Sequence, residues 1–258
     1  MKNKLQLFLF IVIAACTLSC EKKETIKPTT IFYGPAAALQ QGEAKTWIEV
    51  SLEGEPVAIG ISFTAKAETI ASLPGEQTMY HLQFPEQAKF APFMGIMFDW
   101  NPAGHIPEEL YGKPHFDFHF YMISEAEHMA IPLEIGHAHQ PWFEQDYMPA
   151  DYKSLYLSIP GMGNHWVAET APEFTEAGFS KTLILGAYQD KQIFVEPMIT
   201  LEYLQSLKPG KSVTEAISQF PQVQKAGYYP RSYTISHDAS TDEYKIALTD
   251  LYYRAGSK

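Results

Sequence analysis

Beyond residue 20 this chain contains no cysteine; its two are Cys16 and Cys20. A domain built from the residues after Cys20 can form no disulfide, no cysteine-ligated zinc site and no thiol nucleophile. Its stability must come from a packed core. Basic side chains are also scarce, with 19 Lys and Arg against 30 Asp and Glu and a formal net charge of -11. Nucleic-acid binding rests on neutralising phosphates, so this balance excludes nucleic acid as the expected partner. Long apolar runs are missing except for Leu5 to Ala15, which is shorter than the ~20 residues of a spanning helix. Nucleophile and nucleotide signatures are missing too: there is no G-x-S-x-G elbow, no H-E-x-x-H pair, no phosphate-binding P-loop and no G-x-G-x-x-G turn.

The N-terminus has the layout of an export signal. Lys2 and Lys4 precede the apolar stretch LQLFLFIVIAA, and the two cysteines follow it. A small residue before a cysteine at that place is the pattern of a bacterial lipoprotein. IAAC, ending at Cys16, fits the usual lipobox, whereas TLSC, ending at Cys20, leads into the charged start EKKE. Cleavage before Cys20 also removes Cys16 and leaves no free thiol in an oxidising compartment, so Cys20 is the expected lipidated residue. A soluble secreted form and a retained membrane anchor are the alternatives. The organisation expected is a signal peptide over 1–19, the lipidated cysteine and a polar tether over 20–34, and a single β-rich domain over 35–258. Localisation follows as the cell envelope, with a membrane as partner through the N-terminal lipid.

Aromatic residues are plentiful, with 16 Phe and 15 Tyr, which favours a folded, strand-rich body. Alternating apolar segments recur: TWIEVSLEG, EPVAIGISFTA, TMYHLQFP, FMGIMFDW, PHFDFHFYMI, KTLILGAY, QIFVEPMI, RSYTISHD and EYKIALTDLYYR. Short turns join several of these, notably QDK after Tyr188 and ASTD after Asp238, as in hairpins. Helix starts are expected at the boxes Ser124/Glu127 and Ser212/Glu215, around Thr170, Pro172 and Glu173, and at Thr200 before LEYLQSL. The fold class expected is mainly β (α+β), an antiparallel β-sandwich or barrel with a few short helices. The segments Asn101 to Pro114 and Pro141 to Lys153 are long for plain connections, and such loops tend to carry function.

All nine histidines lie after Cys20, and the stretch PHFDFHFYMIS holds the most distinctive pair. Strand alternation puts Phe116, Phe118 and Phe120 on one face and His115, Asp117, His119 and Tyr121 on the other. The Phe face belongs in a core. On a flat strand His115 and His119 stand ~13 Å apart at Cα, from a rise of ~3.3 Å per residue, too far to share one ion comfortably. The i, i+2 pairs with Asp117 reach a shared ion more easily, or Asp117 orients a ring by accepting its N–H. Other groups can complete a site: His105 in the loop before the strand, His165 after Gly-Met-Gly, and Glu196 at Pro197. The expectation is a divalent metal (Zn, Mn, Fe or Cu) held by His115, His119, His165, His105 and Glu196, with Asp117 as orienter. His137 and His139 have suitable spacing but read as a surface loop. His81, His128 and His237 read as ordinary hydrogen-bonded or surface side chains, and Asp99 as an Asx-type turn residue with at most a supporting role.

DWNPAGHIPEELYGKPHFDFHFYMIS, GMGNHW and IFVEPMIT together resemble a bacterial lipoprotein domain family of unknown activity, found in Bacteroidota-type bacteria and related to a sigma-E-regulated Thermus protein. The resemblance covers roughly Gly42 to Leu204. It implies an exported or lipid-anchored envelope protein with a β-rich domain, and no particular reaction. The first motif departs from the family's GHEP form at His105-Ile106-Pro107; any role of that acid is missing here or passes to Glu108 or Glu109. The alternative to a metal protein is a non-catalytic ligand-binding module, or one that forms a homo-oligomer under envelope stress.

Overall fold

The computed structural model describes residues 28–257, apart from 89, 91, 136–146 and 190. Cys16 and Cys20, His137 and His139, and the first part of the Pro141–Lys153 loop lie outside the described residues. The chain is mostly antiparallel strand in two sheets, with four short helices, in the form of a β-sandwich. The first sheet uses β1 (Thr29–Leu39), β2 (Gly42–Ser51), β3 (Pro56–Thr64), β12 (Ser212–Ala216), β13 (Gly227–Asp238) and β14 (Glu243–Arg254), in the order β1-β2-β3-β14-β13-β12. The second uses β4 (Thr78–Gln83), β5 (Gly95–Asn101), β6 (His115–Tyr121), β7 (Glu134–Ile135), β8 (Tyr152–Ile159), β9 (Gly163–Ala168), β10 (Lys181–Tyr188) and β11 (Lys191–Thr200), in the order β4-β5-β6-β11-β10-β9-β8-β7. The helices are α1 (Ala67–Ala71), α2 (Glu108–Tyr111), α3 (Glu125–Met129) and α4 (Leu201–Ser206).

Phe63 of β3 marks where the sheets meet. Its ring lies 5.2 Å from Phe98, 5.4 Å from Phe116 and 6.0 Å from Phe118. Ile48, Ile61, Ile246 and Leu248 from the first sheet close over the same rings with Leu185 and Val195 of the second. Burying each such side chain contributes roughly 1.5–3 kcal/mol. A second apolar cluster lies on the opposite face of the second sheet, around Met97, Tyr121, Phe194, Met198, Tyr111 and Phe179. That outer face is the one that carries the histidines.

Two helix starts form as read from the sequence. Ser124 and Glu127 make a reciprocal capping box on α3, and the Thr200 hydroxyl accepts from the Tyr203 N–H at the start of α4. Two expectations need correction. Ser212–Ala216 is a strand, because β13 offers this segment a continuous ladder with Thr214 opposite Thr234. A local S-x-x-E pattern cannot outbid a sheet edge that satisfies every second backbone group. Around Pro172 only a 3-10 turn forms, Pro172–Phe174, without side-chain capping, and Glu173 points inward instead. The segment read as a tether is also shorter than 20–34, since β1 already begins at Thr29. Its exposed, proline-containing sequence disguised it. Pro35 lies where the register with β2 shifts, between Tyr33 and Ala36, which is where an edge strand tolerates proline.

Candidate metal centre

Period-2 alternation sends Phe116, Phe118 and Phe120 of β6 into the sandwich and His115, Asp117 and His119 to the outer face. Outer does not mean exposed: His115 is 0 %, Asp117 3 % and His119 1 % accessible. Neighbouring strands add to this face in register. On β5, Asn101 lies opposite His115, Asp99 opposite Asp117 and Met97 opposite His119. On β11, Met198 lies opposite Asp117, and Glu196 lies opposite Ile184 of β10. On β9, His165 lies opposite Gly186. Glycine is required there, since a Cβ on Gly186 would come within 2.2 Å of the Phe194 ring, which packs 4.8 Å from His119 and 5.3 Å from His165.

The loop between β5 and β6 folds back over this surface. Gly104 takes a positive φ of 71°, and a Cβ there would meet the Tyr111 carbonyl at 2.0 Å. The turn brings His105 to within 4.7 Å of the His115 ring, centroid to centroid. Tyr111 donates to Glu173 at 3.0 Å and packs edge-on to Phe179, which packs edge-on to His115. Phe179 and Tyr111 therefore form the lid that keeps water from β6. Glu108 and Glu109 are exposed at the start of α2 and belong to neither of the histidine–carboxylate groups described next.

Among the described residues the candidates gather in two groups of three, not one. His105, His115 and Asp117 form the first, and His119, His165 and Glu196 the second; the ligand atoms within each group lie within 4.8 Å of one another. His115 and His119 thus part company, as the strand spacing requires. Asp117 is a full member of the first group rather than an orienter of a single site. The residue placed to orient a ring is Asp99, whose Oδ2 lies 3.4 Å from His119 Nδ1. Asp99 was read from the sequence as a turn residue; it lies fully buried inside β5 instead.

The hydrogen bonds fix two of the ring tautomers. His115 Nδ1 donates to the Lys113 carbonyl at 2.6 Å, and His105 Nδ1 donates to the Ile106 carbonyl at 2.9 Å. A carbonyl only accepts, so in each neutral ring the Nε2 carries a lone pair. Those two Nε2 atoms face Asp117, at 3.1 Å from Oδ1 and 3.4 Å from Oδ2. The Nδ1 bonds thus leave both Nε2 atoms turned to the carboxylate, and among the described residues neither His115 Nε2 nor Asp117 Oδ1 has a hydrogen-bond partner. Asp117 Oδ2 receives one hydrogen bond, from Asn101 at 2.8 Å. In the second group His119 Nε2 lies 3.2 Å from Glu196 Oε1 and His165 Nε2 lies 3.7 Å from Oε2. Both nitrogens of His119, both oxygens of Asp99 and Glu196 Oε2 are buried without hydrogen-bond partners. Each orphaned polar group of this kind costs about 1–3 kcal/mol, and buried ones call for a specific explanation such as an ion.

Electrostatics tell the same story. Burial pushes the Asp99 and Glu196 carboxyls well above the usual range, and Asp117 adds repulsion to both. Burial pushes His119 down to about 3 and His165 down to about 4. Burial acts upward on Asp117 as well, but the facing His115 and His105 rings outweigh it and hold this carboxyl well below its ordinary value. His105 is raised on balance, burial opposing and Asp117 prevailing. In the second group burial holds the rings neutral, the form that ligates a metal, while its carboxyl must release a proton as the ion binds.

Both groups open into one cavity of about 530 Å³. Its floor includes His105, Asp117, His165 and Glu196, and its walls are apolar. The buried His/Asp/Glu groups can hold a metal ion. Sequence reasoning missed Asn101, Tyr111 and Glu173, and gave Asp99 no more than a supporting role at a turn. The alternation Met97-Asp99-Asn101 was the available signal for Asp99 and Asn101; nothing local marks Tyr111 and Glu173. His128 and His237 are buried but structurally occupied, His128 against the Gly161 carbonyl and His237 between the Leu207 carbonyl and Asp242. No family model, curated protein or solved structure matches the chain, so the reading of the site rests on its own geometry.

Proposed function

We propose that this protein is a divalent-metal protein of the cell envelope, with one ion in each His-His-carboxylate group. The observation that carries the reading is the convergence of His105 Nε2 and His115 Nε2 on the Asp117 carboxylate, each ring fixed by an Nδ1–H donated to a backbone carbonyl. Metal-ligating histidines are oriented in this way, and a divalent cation between the three groups would take all three as ligands. Two histidines and one carboxylate leave positions open for a substrate or water, a set that zinc and non-haem iron both accept, with manganese and copper as further candidates. A bound ion would supply Lewis acidity or an activated water. The chain's own part is to aim the rings, to exclude water behind Tyr111 and Phe179, and to leave both groups open to one cavity.

The envelope placement and the lipid at Cys20 rest on the leader-like N-terminus alone. Metal analysis of the purified protein tests the core of the proposal. One ion per group is expected, with His115→Ala losing the first and His165→Ala losing the second. A protein without metal, and without affinity for Zn, Mn, Fe or Cu, would overturn it.

A further inference from the structure

We infer that the cavity joining the two groups binds a small amphipathic monocarboxylate, with its head on the metal centre and its apolar body along the wall. The inference rests on the metal reading above. The cavity has the size of small-molecule sites, which run from about 300 to 1,000 Å³, and is far too large for a single water. Its walls are Ile106, Leu155, Ile159, Met162, Ile184 and Met198. Two of these stand open to solvent at the rim, Ile106 at 66 % and Leu155 at 42 % accessibility. An apolar lining that continues outward onto exposed Ile and Leu fits a ligand with a hydrocarbon body, because burying that body removes both surfaces from water.

The head group follows from charge balance. Among the described residues no Lys or Arg lines the cavity, whose polar lining is Gln77, His105, Tyr111, His165 and the carboxyls of Asp117 and Glu196, so without a metal the protein offers an anion no permanent cation and sets two carboxyls against it. Two divalent ions set against the carboxylates of Asp117, Glu196 and Asp99 leave one positive charge in a water-poor site. A monoanion neutralises it, and a carboxylate is the anion that pairs an oxygen donor for zinc or iron with an apolar tail. Glu196 Oε2, buried and without a hydrogen-bond partner, marks the floor on which the head would sit.

The ligand must therefore bind only when the metal is present, and this makes the inference separable from its premise. The probe is decanoate, titrated calorimetrically into purified protein loaded with Zn(II), with decanol as the neutral counterpart and chelator-treated protein as the metal-free one. Decanoate is expected to bind the loaded protein at least about tenfold tighter than decanol does, and to lose that advantage after chelation. Met162→Trp, which fills the wall away from the ligand atoms, should keep its metal content and weaken decanoate by a similar factor. Leu155→Trp at the exposed rim repeats the test should Met162→Trp fold poorly. Full metal content with decanoate no better than decanol, or with decanoate unaffected by chelation, overturns the inference and leaves the metal reading standing. Failure to take up metal overturns both, and the metal assay reports that directly.

Discussion

The two faces of β6 are buried to the same degree and held in opposite ways. On the inner face Phe116, Phe118 and Phe120 pack against Phe63 and Phe98 with nothing left unsatisfied. On the outer face His115, Asp117 and His119 sit among carboxyls and rings whose polar atoms are buried and face one another. One face stabilises the fold by dispersion and exclusion of water. The other opposes it, by desolvating charge without full compensation. A strand that carries both is a scaffold for a site whose completion needs something the chain does not contain.

Substitutions on either face should show how separate these roles are. The largest effect is expected on the inner face. Phe118→Ala should cost about 3–5 kcal/mol in denaturant unfolding, and the same amount with and without chelator, because its ring partners Phe63, Phe98 and Phe116 belong to the inner cluster. A loss that depends on metal would mean that the faces are coupled. Next comes the ion itself. Chelation of the His165→Ala protein, which keeps only the first ion, should lower its stability by about 3–4 kcal/mol relative to a metal concentration 100 to 1,000 times Kd, read as a fall in unfolding midpoint. No change would break the comparison at its outer half.

Proton linkage is the third measure, made on chelated protein. His165 titrates at about 4 when folded and near 6.5 when unfolded. Between those values the unfolded chain binds the extra proton, so the fold loses stability as pH falls from about 6.5 toward 4 and gains no more above that window. Asp99 and Glu196, raised by burial, act in the opposite sense and penalise the fold as pH rises above the unfolded carboxyl value. Comparing wild type with His165→Asn isolates the ring. The wild type should lose up to about 3 kcal/mol relative to the variant over that interval, and parallel profiles would show that His165 is not desolvated. The smallest effect is expected from Glu196→Gln in chelated protein. Replacing a buried acid that has one orphaned oxygen with a neutral isostere should change stability there by less than about 1 kcal/mol, whereas in metal-loaded protein the same substitution should remove the ion of the second group. A large loss would mark Glu196 as a structural acceptor instead of a ligand.

Legibility in the sequence varied by element. The hairpins β2–β3, β10–β11 and β13–β14 were plain because alternation and turn residues are local. β1, β8 and β9 were not. β1 and β2, and β8 and β9, pair as sequence-adjacent hairpins, but small and polar residues give β1, β8 and β9 weak alternation. Of the site, His105, His115, Asp117, His119, His165 and Glu196 were all visible as candidates, yet their grouping was not. Asp99 looked like a turn residue beside Asn-Pro, although the strand runs on through Asn101.

By itself the sequence determined which residues share a strand face, since that depends only on a period of two. It therefore placed Phe116, Phe118 and Phe120 in a core, kept His115 and His119 too far apart for one ion, and excluded cysteine chemistry after Cys20. Only the tertiary structure decided that the histidine face is the outer one and is nonetheless buried. It also decided that Glu196 and His165 serve His119 while His105 serves His115. Those pairings depend on which strands neighbour one another, in what register, and on a glycine turn that folds the Asn101–Pro114 loop back over the sheet. Such non-local contacts are selected by the packing of the whole domain, and no stretch of sequence specifies them alone.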